Sequence, residues 1–155
     1  MLVLPSPGRL RRTLAVLGLA ALALAGCTSD KGPTAAQAGQ TLKNHILQLL
    51  KERDAENVTI TDPGGRNIPC ADGKAKQTFS ATGNDNFRKT APHILRTAML
   101  GALERVGNYD VVGVPEPNKP IHVTDVSSAT NLVLDSPSVG VYSISGETRC
   151  LSVSR

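Results

Sequence analysis

Residues 131–153 read NLVLDSPSVGVYSISGETRCLSV. Three strand-like segments, 131–135, 139–144 and 149–153, are separated by Ser136-Pro137-Ser138 and by Gly146-Glu147, residues suited to tight turns. The stretch therefore reads as a β-meander. In its last segment Leu151 and Val153 point to one face and Cys150 to the other, as the two-residue repeat of a strand requires.

Upstream, residues 109–114 predict one strand and 121–126 another. Pro115, Pro117 and Pro120 forbid regular pairing between them. A helix precedes these strands. Thr90 is placed to cap it, Pro92 falls in the first turn, where a missing N–H costs nothing, and Gly107-Asn108 stops it. Ile94, Leu95, Ala98, Met99, Ala102, Leu103 and Val106 give it a broad apolar face. Residues 75–82 predict a strand ended by the turn residues 83–86, and 66–74 a loop holding Cys70.

Nearer the start, Leu42, Ile46, Leu49 and Leu50 recur at the spacing of an amphipathic helix, placed at 38–54. Val58 and Ile60 then alternate with polar residues as a short strand, closed by Asp62-Pro63-Gly64-Gly65. The expected fold class is α+β: an antiparallel sheet with two helices packed on one face and a C-terminal meander, in a single domain spanning 38–155.

Residues 1–26 belong to targeting rather than to the fold. Arg9, Arg11 and Arg12 precede twelve apolar residues, 14–25, too few to span a bilayer that needs about 20. Leu24-Ala25-Gly26-Cys27 follows and resembles the bacterial lipobox, a branched apolar residue and two small residues before a cysteine. The resemblance implies cleavage between Gly26 and Cys27 and attachment to the Cys27 thiol of a diacylglycerol, whose acyl chains are of the palmitate type. Two such chains give stable anchoring at about 0.8 kcal/mol per buried CH₂. The expected location is the extracytoplasmic face of the cell membrane, held by lipid. Residues 27–37 then form a polar tether, and ten stretched residues reach only about 35 Å.

Charge adds little. The chain carries 17 basic and 13 acidic residues, but three of the arginines are in the leader, leaving 14 basic against 13 acidic residues in the mature chain. A nucleic-acid partner is not supported.

With Cys27 occupied, Cys70 and Cys150 remain in an oxidising compartment, where one intramolecular disulfide is the simplest pairing. A reactive thiol or metal pair is the alternative, although neither cysteine has the clustered Cys or His neighbours that metal sites use. The layout of lipobox, short tether, helix, loop cysteine, second helix, meander and partner cysteine also resembles that of small uncharacterised actinobacterial lipoproteins. That resemblance implies an extracytoplasmic α+β domain and transfers no active site.

Chemistry-bearing motifs are sparse. His45, His93 and His122 have no metal-ligand spacing, and each reads as a boundary or surface residue. No GxSxG occurs, and Ser145-Gly146 fits a hairpin turn; a serine constellation would have to assemble in space from His122, Asp125 and some serine. Gly65 to Gly73-Lys74 has the wrong spacing for a phosphate loop, and Ala75 stands where a Ser or Thr would hold Mg²⁺. Four aromatics, Phe79, Phe87, Tyr109 and Tyr142, and no Trp offer little for stacking on sugars or bases. No cofactor or metal is implied.

The expected function is a non-enzymatic interaction or accessory module working beside its membrane on another envelope protein. The second class is a small-ligand or lipid carrier with Met99 and Leu103 lining a pocket between the second helix and the sheet. A small envelope hydrolase is the third.

Overall fold

The computed structural model describes residues 32–153. The leader, the Gly26–Cys27 cleavage position, lipidation at Cys27 and the start of the tether lie outside the described residues. Within them, α1 spans Ala35–Glu52 and α2 spans Pro92–Ala102, continued by a 3₁₀ turn over Leu103–Arg105. Strands are β1 (Glu56–Asp62), β2 (Ile68–Ala71), β3 (Lys74–Lys76), β4 (Thr78–Asn84), β5 (Asp110–Val111), β6 (Ile121–Asp125), β7 (Thr130–Asp135), β8 (Val141–Thr148) and β9 (Leu151–Ser152).

Six strands form an antiparallel sheet in the order β1-β4-β8-β7-β6-β5, and β2-β3-β9 form a second, smaller one. The α+β architecture is as expected. Both helices pack on the large sheet, α1 chiefly on β4 and β8 and α2 on β7 and β8. Strict alternation sends Phe79, Ala81, Leu132, Leu134, Tyr142 and Ile144 inward. There they meet Leu42, Ile46, Leu49 and Leu50 of α1 and Leu95, Met99 and Leu103 from α2 and the turn after it. Each large side chain fully buried in this way contributes about 1.5–3 kcal/mol.

Several boundaries differ from the sequence expectation, each for a physical reason. Helix α1 starts at Ala35, three residues early, because Thr34 and Gln37 form a reciprocal capping box. Thr90 does not cap α2. Its hydroxyl donates to Asp85 Oδ2 at 2.5 Å, and Ala91 takes the cap position with no side-chain bond. The loop at 66–74 is in fact mostly hairpin, β2 turning into β3. The strand expected over 75–82 is broken at Gln77, where the chain passes from the small sheet to the large one. There Gln77 N donates to Thr148 Oγ1 at 3.0 Å and Thr148 N donates to Gln77 O at 2.8 Å.

The strand expected at 109–114 keeps only two paired residues before Gly113 turns the chain at φ +77°. Gly146-Glu147 is not a turn. Both residues lie inside β8, paired to β4 and β7, and β9 leaves the meander to join β3 in the small sheet.

Cys70 and Cys150 form the disulfide, with their Cα atoms 6.0 Å apart across 80 positions of sequence. It ties β2 to the residue just before β9. A loop of this length gives about 4.5 kcal/mol in the chain-entropy model, less any native strain.

Candidate functional site

Because the helices cover one face of the large sheet, the other face is open. Its strands are short in large side chains there and rich in hydroxyls and amides, which suits a half-solvated antiparallel sheet. The ladder register sets these side chains in rows. Thr78, Glu147, Asn131 and Thr124 stand side by side across β4, β8, β7 and β6. Ser80, Ser145, Val133 and His122 form the next row. Val112 N extends that row with a 2.8 Å bond to His122 O. All of these but Thr124 line an open groove of about 720 Å³.

Most polar groups along this face are already tied to neighbours. Thr78 Oγ1 donates to Asp62 Oδ2 at 2.6 Å, Lys76 Nζ donates to Glu147 Oε2 at 2.7 Å, and Thr124 Oγ1 donates to Asn131 Oδ1 at 2.7 Å. Thr61 and Ser80 share a hydroxyl–hydroxyl bond of 2.7 Å. The Thr78 hydroxyl, helped by the Gly64 N–H, holds the Asp62 carboxyl below its ordinary value. This is a rigid hydrogen-bonding surface with apolar spots at Val112 and Val133. It offers recognition by hydrogen bonding and shape rather than by aromatic stacking.

A second polar group sits inside the fold near the end of β6. His45 Nδ1 lies 2.8 Å from Tyr109 Oη, which lies 2.9 Å from Thr130 Oγ1, itself 2.8 Å from Ser128 Oγ. Asp125, 3% exposed, accepts at Oδ1 from the backbone N–H groups of Ser127 and Ser128 and from the Ser127 hydroxyl. Burial holds the His45 imidazole below its ordinary pKa, against the pull of Asp125. It also pushes the Tyr109 phenol up to about 12. Burial raises the Asp125 carboxyl too, but the bonds from Ser127 and Ser128 outweigh it and leave that group below its usual range. The chain pins the loop before β5 to α1 and β7. Sequence reading missed it, since its members come from four separate elements.

The other sequence candidates fall as follows. His122 and Asp125 are three residues apart on one strand, so His122 points to the open face and Asp125 to the interior. Ser145 is two strands from His122, about 9.6 Å at the usual spacing. The structure therefore does not bring these residues together. His93 is exposed in the first turn of α2. Gly73 and Lys74 belong to the β2–β3 hairpin, and the disulfide holds that segment. Met99 and Leu103, candidate lining for a carrier pocket, are buried in the core between α2 and the sheet. Among the described residues no group of three or more His, Cys, Asp or Glu is placed to hold a metal ion. Among them, too, no helix is long and apolar enough to cross a membrane.

No protein-family model, curated protein or solved structure matches this chain.

Proposed function

We propose that this chain is an extracytoplasmic lipoprotein, anchored through acyl chains on Cys27, whose α+β domain is a non-enzymatic interaction module for a neighbouring envelope protein. The observation that carries the reading is the open face of the large sheet. One side of the sheet is closed by α1 and α2, while the other presents ordered rows of Ser, Thr and Asn around Val133 and Val112.

The tether supports the same reading. Seven residue steps separate Cys27 from the helix cap Thr34, so the cap stays within about 25 Å of the lipidated residue. A domain held so close to its membrane meets membrane-bound neighbours at high effective concentration.

Cross-linking of the full-length protein in its own intact membranes, followed by mass spectrometry, tests the proposal. One reproducible protein partner is expected, lost on Val133→Glu while the fold and the membrane retention persist. Capture of abundant bystanders alone, unchanged by Val133→Glu, contradicts it.

A further inference from the structure

We infer that the small sheet of β2, β3 and β9 is the surface on which the domain rests against the membrane that holds its anchor, an inference that rests on lipidation of Cys27.

The small sheet lies at the end of the domain from which the tether leaves. Helix α1 starts at the end of the molecule that carries the small sheet. Gly39, in its second turn, packs against Gln77, the residue that joins β3 to β4. Gln77 is bonded to Thr148, two residues before Cys150, and Cys150 is linked to Cys70. The start of α1 and the disulfide-stapled sheet therefore lie at one end, and Cys27 is only seven residue steps of chain from the Thr34 cap of that helix. The far end, with the exposed Phe87 and Val139, is separated from it by the seven residues of β4, about 23 Å. Turning that end to the bilayer would demand an almost fully stretched tether.

The surface chemistry of the small sheet suits a bilayer as well. Within 66–76 and 149–153 there are four basic residues, Arg66, Lys74, Lys76 and Arg149, and one acid, Asp72. Lys76 is paired to Glu147 and Arg66 acts on the nearby Asp62 carboxylate, which leaves Lys74 and Arg149 as the exposed cations without an acidic neighbour of this kind. Beside them, Ile68 is 40% and Val153 42% exposed. Cations around a few apolar side chains suit the headgroup layer of a bilayer containing anionic lipid. The disulfide keeps this small sheet folded where its few strand pairs alone would be marginal.

The test uses the full-length protein, isolated from its membranes and reconstituted in vesicles of phosphatidylethanolamine and phosphatidylglycerol. A benzophenone side chain is introduced at Ser152 on β9 or at Ser138 at the far end, both exposed. After irradiation, intact mass spectrometry reads two things in one spectrum: the acyl chains on Cys27 and the lipid cross-linked to the domain. Acylated protein with lipid adducts severalfold more abundant at 152 than at 138 is the expected result. Acylated protein with equal adducts, or more at 138, overturns the docking surface and leaves the anchor standing. Protein lacking acyl chains overturns both.

Discussion

Gly39 of α1 lies so close to Gln77 that a Cβ at position 39 would overlap the Gln77 side-chain oxygen. The helix, the small sheet and the large sheet meet at this contact. Gln77 is itself buried and donates through Nε2 to Asn67 Oδ1 at 2.8 Å, so it has little freedom to move away. Gly39→Val is therefore expected to destabilise the domain by about 1–3 kcal/mol, as overpacking of a closed core does. Urea unfolding measures it, and Gln77→Ala in the same chain should recover part of the loss. Additive costs in the double variant would show that the contact is not the cause.

Gly146 makes the equivalent contact in the middle of β8. A Cβ there would sit 2.6 Å from Asn131 O, 2.7 Å from Leu42 Cδ1 and 2.8 Å from Leu132 Cδ2. One of the three is backbone, so relief by a side-chain rotation is incomplete. Gly146→Ala should cost about 1–3 kcal/mol in thermal or chemical unfolding, despite the higher strand propensity of Ala. A neutral effect would place the helix further from the sheet than described.

Gly146 also shows where sequence reading stops. Locally, Ser-Gly-Glu has the chemistry of a turn, and the reason for glycine in a strand is a leucine about a hundred positions upstream. Likewise Thr90 has the chemistry of a cap, but Asp85 offers its hydroxyl a charged acceptor and wins it. The elements governed by local periodicity were legible: the stripe of Leu42, Ile46, Leu49 and Leu50, the apolar face of α2, and the α+β class. The disulfide followed from the cysteine count. The open sheet face and the His45–Tyr109–Thr130 chain were not legible, because register across four strands and a loop pinned by hydroxyls depend on contacts far apart in sequence.

Removing the disulfide should lower stability more than either glycine substitution. Cys70→Ala with Cys150→Ala frees a long loop in the unfolded chain, and a loss of about 2–4 kcal/mol is expected. Because both cysteines are exposed, reductant should reach the bond without global unfolding. Unfolding curves with and without reductant check this. A wild-type curve unmoved by full reduction contradicts it.

Acid should weaken the fold through His45. Its folded pKa lies below the unfolded value of 6.5, so the unfolded chain binds the extra proton first. The stability is fully present above 6.5, falls as the pH drops from there toward the folded pKa, and levels off below it. His45→Gln should flatten that segment of the stability–pH curve while keeping a hydrogen-bonding partner for Tyr109. An unchanged slope would remove His45 as its source.

The most direct test of the account is the intact mass of the protein extracted from the membranes of a cell that makes and processes it, compared with Cys27→Ala. The expected product is a chain that begins at Cys27, carries a diacylglyceryl group and further acyl mass, and contains the Cys70–Cys150 bond. Cys27→Ala is expected to remain an unlipidated precursor. A wild-type chain cut elsewhere or retaining residues 1–26, with no added lipid mass and unchanged by Cys27→Ala, would contradict it.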